Sequence, residues 1–321
     1  MLFEKSVLNF YKKNLLVRHD NNESIYYFTK DNFDGLCANE FSFSGNFAQR
    51  LCGAFYYYGE ERYDRLVIFD HGMGCGHVAY MKEIELLCRA GYTVFAYDHT
   101  GTRLSEGESI MGFAQSLADL DYAVKAIREI KEYKDADLTV IGHSWGGFST
   151  LNISALHPEI KHIVAMAGFS SVKTMLTQLL GGFMSRYIPA IYAAEAENVP
   201  YYVEFDAVES LKKSKAKAMI IHSEDDTVVS FRAHFERMKN ALNGRENTEF
   251  VAMLGKDHNP NYTADAVAYK NLFFKDYTKK AKKKALKTSA QRRQFRDSYD
   301  FNRMTAQDVE LWAKILKFIE N

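Results

Sequence analysis

The chain has 321 residues, 47% of them hydrophobic, with 41 Lys and Arg balancing 41 Asp and Glu. The apolar share is ample for a globular core, the length fits one α/β domain carrying an insertion, and a net charge near zero lacks the basic excess of a nucleic-acid binder. No apolar run reaches the 18 residues of a membrane span, and Cys37, Cys52, Cys75 and Cys88 show neither C-x-x-C nor zinc spacing, so small buried thiols and no metal site are expected.

At the N-terminus, Phe3, Val7 and Phe10 are spaced for a short amphipathic helix lying on the domain. Glu4 and Lys5 interrupt the apolar stretch and no small-residue cleavage site follows, so it does not read as a signal peptide and a cytoplasmic protein is expected. Residues 22–64 read as a β meander, with strands at about 40–45 and 49–58 around a Ser44-Gly45-Asn46 turn. RLVIFD (65–70) is a continuous apolar run, as in a strand buried on both faces. It ends at His71-Gly72-Met73-Gly74-Cys75-Gly76, and a helix is predicted over about 78–90 with Gly91 as its stop. YTVFAYD (92–98) is the next strand, and Phe113, Leu117, Leu120, Val124 and Ile127 mark a helix over about 112–131.

DLTVIGHSWGG (137–147) joins a buried strand to a helix predicted from Phe148 to about Leu156, and HIVAMAGFS (162–170) is again a strand. Strands alternating with helices at these intervals imply right-handed βαβ units and a mostly parallel sheet. Residues 171–212 break the pattern, being partly helical, interrupted by Gly181-Gly182, Pro189 and Pro200, and too long for a connection. They are read as a cap inserted over the C-terminal edge of the sheet. The core is then 1–170 and 213–321. KAMIIHS (217–223) resumes the sheet, followed by a helix at about 231–242 and a strand at 248–254. Residues 261–300 form a basic helical insertion, read as a solvated face rather than an anion-binding patch. The last helix is predicted to start at a capping box, Thr305-Ala306-Gln307-Asp308, and to pack Val309, Trp312, Leu316 and Ile319 on the core.

The chemistry centres on Gly142-His143-Ser144-Trp145-Gly146, a G-x-S-x-G pattern between strand and helix. Such a tight turn needs glycines beside the serine and lifts its hydroxyl clear of the sheet. A serine nucleophile requires a base, an orienter of the base, oxyanion donors and room for substrate, and each is sought at the carboxyl end of a strand. His258, after the last strand, is the base. Glu224, Asp225 and Asp226 follow the preceding strand; Asp226 is preferred as the orienting acid and Asp225 is the fallback. The oxyanion donors are the backbone N–H groups of Trp145, next to the serine, and Met73, in a loop kept thin by Gly72, Gly74 and Gly76. Candidate substrate contacts are His71, Gly72 and His143 near the serine, and Phe183, Tyr187 and Tyr192 in the cap.

These motifs, FDHGMG (69–74), YDHTGTRLSEG (97–107), GHSWGG (142–147), HSEDDTVV (222–229) and GKDH (255–258), resemble the α/β-hydrolase fold over about residues 40–320. Within it the chain is most similar to the serine aminopeptidase-like and monoglyceride-lipase-like hydrolases. The resemblance implies a mostly parallel central sheet flanked by helices with a helical cap after the sixth strand. It also maps the acid of the family's H-G-x-x-D onto Asp226, with Ser223 in place of the glycine. The family's D-x-R-G-x-G-x-S becomes Asp98-His99-Thr100-Gly101-Thr102-Arg103-Leu104-Ser105, its arginine and second glycine displaced, and the basic insertion has no family counterpart.

The expected activity is cleavage of a small-molecule carboxylic ester with an apolar acyl or aryl group, through an acyl-enzyme and without a cofactor. Leu179, Phe183, Met184, Tyr187, Tyr192 and Tyr201 in the cap suggest that apolar group. A peptidase, acyltransferase or thioesterase is possible on the same three residues; an aminopeptidase would use acidic groups such as Glu195 and Glu197, although so close a pair reads as a solvated helical face. A non-catalytic binding protein of this fold would lack a member of the constellation, and none is missing. The sequence sets no oligomeric state.

Overall fold

The computed structural model describes residues 2–74 and 76–321; Cys75 and the side chain of Phe3 lie outside the described residues. The chain runs α1 (Leu2–Leu15), β1 (Leu36–Ser44), β2 (Arg50–Tyr58), β3 (Arg65–Asp70), α2 (Met81–Arg89), β4 (Thr93–Tyr97), α3 (Gln115–Glu129), β5 (Asp137–His143), α4 (Trp145–Ile153) and β6 (His162–Met166). It continues α5 (Val172–Leu179), α6 (Ile188–Ala196), α7 (Ala207–Lys213), β7 (Lys217–Ser223), α8 (Arg237–Ala241), β8 (Thr248–Met253), α9 (Ala264–Lys282), α10 (Ser289–Arg296), α11 (Phe301–Met304) and α12 (Val309–Glu320).

One eight-stranded sheet has the order β1-β2-β4-β3-β5-β6-β7-β8. β1 pairs antiparallel with β2, and β2 with β4; every later pair is parallel. The continuous apolar runs are explained by burial on both faces: Leu66 and Ile68 of β3 point into one core, Val67 and Phe69 into the other. The first core lies under α1, α3, α4 and α5–α8, the second under α2 and α9–α12. Because β3, β5, β6, β7 and β8 are parallel, their carboxyl ends and the loops that follow gather at one edge of the sheet.

Several expectations are corrected. α4 begins at Trp145, directly after the serine, rather than at Phe148. The helix expected over 231–242 is present, but its first turn, Arg232–Glu236, is π-helical before it runs into α8. α12 is capped by Asp308, whose side chain accepts from the Glu310 and Leu311 N–H groups, so Val309 faces solvent while Trp312 and Ile319 are buried. Cys88 is buried, whereas Cys37 and Cys52 are only half-buried; all three are free. Among the described residues no helix is long and apolar enough to cross a membrane.

The segment 171–213 packs along α1, α3 and α4. Ile191, Val199 and Val203 enter the first core, the Tyr202 hydroxyl donates to Asp121 at 2.6 Å, and Asn198 donates to the Met111 carbonyl at 3.0 Å. Glu195 is not part of a solvated face: it is fully buried, accepting from the Tyr11 hydroxyl of α1 and from the Phe113 N–H at 2.6 Å. Only Glu197 is exposed, paired with Lys12 at 3.1 Å.

Burial raises the Glu195 pKa to about 7, against hydrogen bonds from Tyr11, Phe113 and Ala114 that lower it. The folded chain therefore keeps a proton that the unfolded chain releases from about pH 4.5, so stability present below that pH is lost as pH rises through about 7. Between pH 4.5 and 8, urea unfolding of the wild type should lose about 2 to 3 kcal/mol that Glu195→Gln does not lose. Parallel pH curves for the two proteins would contradict the assignment.

Candidate active site

Ser144 occupies the turn between β5 and α4 with φ 55° and ψ −111°. A non-glycine residue held in so sparse a region costs about 1–3 kcal/mol and persists only where its surroundings fix it. Here they do. The Ser144 N–H donates to the Met166 carbonyl of β6 at 2.8 Å. A Cβ on Gly146 would lie 2.1 Å from the Asp70 carbonyl oxygen, and one on Gly142 would lie 2.3 Å from that of Gly146. The end of β3 and the first turn of α4 thus touch backbone to backbone. Trp145 is the first residue of α4, so its N–H has no partner within the helix.

His258 follows β8, just after Asp257 with its positive φ of 45°. Its Nε2 lies 2.8 Å from Ser144 Oγ and its Nδ1 2.8 Å from Asp226 Oδ2. A carboxylate only accepts, so Nδ1 carries the proton and Nε2 is free to accept from the serine. Asp226 is buried; Oδ1 accepts from the Val228 and Val229 N–H groups at 2.8 and 2.9 Å, and Oδ2 also lies 3.1 Å from His222 Nε2. Burial works to raise its pKa, but hydrogen bonds from His222 and His258 hold it well below the usual carboxylate range. Asp225 is turned away from His258. It accepts from Ser223 Oγ at 2.6 Å and from the Gly255 and Asp257 N–H groups at 2.9 and 3.2 Å, anchoring the loop that carries the histidine.

His71 and His143 both brace the backbone around the serine turn. His71 is fully buried; its Nδ1 donates to the Gly72 carbonyl at 2.7 Å and its Nε2 accepts from the His99 N–H at 3.0 Å. It lies behind the loop and braces it. His143 Nε2 donates to the His258 carbonyl at 2.7 Å, which leaves Nδ1 to accept from the Tyr80 hydroxyl at 2.9 Å. That hydroxyl in turn accepts from the Gly72 N–H at 3.1 Å. Burial, with His258 beside it, lowers the His143 pKa to about 3, so the ring is neutral. One polar chain therefore joins the Gly72–Met73 loop to the backbone of His258. Tyr80 was missed in the sequence, where it reads only as one residue near the start of a helix.

The loop after β4 departs from the family pattern and is held by a different cation. His99 lies 2.9 Å from Asp70 and 3.2 Å from Asp119, all three fully buried. Burial opposes its charge, but Asp70 and Asp119 raise its pKa to about 9. Arg103, displaced in sequence, reaches Asp98 at 3.3 Å.

Beside the loop lies a cavity of about 210 Å³. Gly72, Met73 and His143 form one wall, and residues of 25–28, 78–83 and 259–305 form the rest. The expected cap contacts are elsewhere. Phe183 is exposed and stacks under Arg186 at 3.5 Å, Tyr187 is half-buried in the same turn, and the Tyr192 hydroxyl donates to the Val203 carbonyl at 3.1 Å. Among the described residues, no group of His, Cys, Asp and Glu side chains is arranged to hold a metal ion.

Sheet order and strand-end geometry together give the chain the α/β-hydrolase fold. The family model for serine aminopeptidase, S33, matches residues 61–204. The monoglyceride lipases of Rattus norvegicus and Mus musculus are each 33% identical over 97 residues, 29% of this chain and 31% of theirs; the chain thus spans about a third of the length of these curated relatives. An esterase of Pyrococcus furiosus superposes with a TM-score of 0.59 at 17% identity, over 84% of this chain and 96% of that one. A puromycin-hydrolysing peptidase of Mycobacterium tuberculosis does so with 0.52 at 16% identity, over 69% and 36%. At such identities the structures share the fold alone.

The packing at Gly146 is testable directly. Gly146→Ala should lower the unfolding free energy in urea by about 3 kcal/mol or more, because the methyl meets fixed backbone rather than a side chain that can turn away. A variant of unchanged stability would mean that β3 and α4 are not in contact there.

Proposed function

We propose that the chain is a serine hydrolase that cleaves carboxylic esters of small molecules through an acyl-enzyme. The observation that carries this reading is the continuous relay Ser144 Oγ–His258 Nε2 and His258 Nδ1–Asp226 Oδ2, each link 2.8 Å long. Ser144 Oγ attacks the carbonyl carbon as its proton passes to His258 Nε2. Asp226 keeps the other ring nitrogen protonated and stabilises the imidazolium. The N–H groups of Trp145 and Met73 receive the developing oxyanion, each contributing about 2.7–4 kcal/mol to transition-state stabilisation. The imidazolium returns its proton to the leaving alkoxide. Water, deprotonated by the same nitrogen, then attacks the acyl group and releases Ser144.

An ester is favoured over the amino end of a peptide by Glu195. An aminopeptidase needs a carboxylate free to hold the substrate ammonium, and Glu195 is enclosed between α1 and Phe113. In this reading residues 171–212 form a cap whose inner side packs on the core. The basic helices of 261–300 combine a solvated outer face with an inner face that walls the cavity beside the oxyanion loop.

Ser144→Ala should abolish hydrolysis of short p-nitrophenyl esters, and of fluorophosphonate labelling, with the fold intact by circular dichroism. Residual turnover at the wild-type rate would exclude Ser144 as nucleophile. Asp226→Asn should lower kcat by about 10⁴. Asp225→Asn should cost far less, since Asp225 braces the loop without touching the imidazole. Comparable losses in the two variants would reject Asp226 as the orienting acid.

A further inference from the structure

The cavity beside Gly72 and Met73 has the dimensions and polarity of a selective pocket. A dry cavity of about 150 Å³ accepts benzene; at about 210 Å³ this one has room for a ring and one substituent. Its walls are Phe28, Val78, Phe273, Phe301 and Met304, and those in the second core are buried and packed against one another, Phe273 on Phe301 at 5.5 Å. Such walls keep their shape with no ligand present.

Two ionisable groups interrupt the apolar lining. Glu83 of α2 is almost fully buried; Oε1 accepts from Asn261 Nδ2 at 3.0 Å, while Oε2, with the Tyr262 and Gln307 side chains near the carboxyl, is buried without a well-formed hydrogen bond among the described residues. Lys270 of α9 reaches in from the opposite side, its ammonium bonded to Asn259 Oδ1 and 4.9 Å from the centre of the Tyr262 ring. An ammonium has three donors, so Lys270 has donors to give and Glu83 has an acceptor to fill. A buried polar atom left unpaired costs about 1–3 kcal/mol. A hydroxyl, which both donates and accepts, answers both groups, whereas a methyl answers neither. Desolvation, opposed by Glu83 and Asp257, also lowers the Lys270 pKa to about 8.

We propose that this cavity is the specificity pocket of the enzyme and takes from its ester a single aromatic ring bearing a hydroxyl at the inner end. The proposal rests on the hydrolase reading above, because the pocket acts on specificity only through its shared wall with the loop that receives the oxyanion. It assigns the selection of substrate to α9–α11 rather than to the segment 171–212.

The test uses p-cresol and toluene, which differ only in the hydroxyl, titrated into the full-length Ser144→Ala protein by NMR. p-Cresol should bind at least tenfold more tightly than toluene. Lys270→Met and, independently, Glu83→Gln should reduce that advantage below threefold while leaving toluene unchanged, and Ala79→Phe, at an exposed lining position that tolerates bulk, should weaken both more than tenfold. In the wild type, saturating p-cresol should slow fluorophosphonate labelling of Ser144 at least fivefold. Equal affinity for the two probes, affinities untouched by the variants, or labelling at full rate with p-cresol bound would each overturn the pocket. A wild type that never labels, even where p-cresol binds, would instead overturn the hydrolase reading and with it the pocket's role in selecting esters.

Discussion

The backbone of Ser144 is the constraint on which the site depends. Its positive φ is held by one sheet hydrogen bond, to Met166, and by close packing of the first turn of α4 on the last residue of β3. The same contact places two backbone donors. It sets the N-terminus of α4, and so the Trp145 N–H, against Asp70, from which the chain continues into the Gly72–Met73 loop. The distance between the Ser144 turn and the Gly72–Met73 loop is therefore fixed by main chain, not by side chains that could change rotamer. Gly147 shows the same economy on the other side, where a Cβ would lie 2.8 Å from Gly168 at the end of β6. Strain at one residue is tolerated because three strand ends enclose it.

Histidines supply the second level of order, and their protonation follows from their partners. His71 and His143 each give one proton to a carbonyl and accept at the other nitrogen, so each works as a neutral strut. His99 stands between two buried carboxylates and is the cation that Asp70 and Asp119 require. The contrast is useful: buried imidazoles with carbonyl and N–H or O–H partners lose their charge, and His99, enclosed by two carboxylates, keeps it. In the segment 98–105 the buried positive charge comes from His99, and Arg103 pairs with Asp98.

What was legible in the sequence was local or was repeated at every strand end. The apolar runs of β3, β5, β6 and β7 announce burial on both faces, and the serine, acid and histidine fall one per strand end. Among the adjacent acids the motif favours Asp226; in the structure the Val228 and Val229 N–H groups hold its carboxylate inward, toward His258, while Asp225 serves the outer loop. Partners distant in sequence were not legible. Nothing in the spacing of Tyr80 points to His143, 63 residues away, and nothing in the pair Glu195 and Glu197 says that α1 returns to cover one of them. Periodicity encodes which face of an element is apolar, but not what covers it. α12 shows a finer failure: both Thr305 and Asp308 are good caps by type, and the choice between them is made by Lys256, whose ammonium binds Asp308 at 2.7 Å.

The basic segment carries the largest consequence of that limit. Its many lysines and arginines, Lys270 apart, lie on the outer side of α9 and α10 and the turn between them and find partners such as Glu23 or simply solvent. Averaged over a window, they hide the aromatic positions, which come one per turn or one per helix. Phe273, Phe295, Tyr299 and Phe301 are scattered along 29 residues of sequence, yet their rings meet within 5.0 to 5.5 Å of Phe273. That cluster is what makes the segment a structural element, since helices joined by a lysine-rich turn have little else to order them. It also explains how the segment can form a wall of a cavity beside the Gly72–Met73 loop. The aromatic face must be buried somewhere, and α2, a short turn beyond the Gly72–Met73 loop, presents Met81, Ile84 and Cys88 to the same core. Packing the insertion against α2 brings Lys270 and Asn261 into the vicinity of Glu83, which no pattern confined to one helix could reveal.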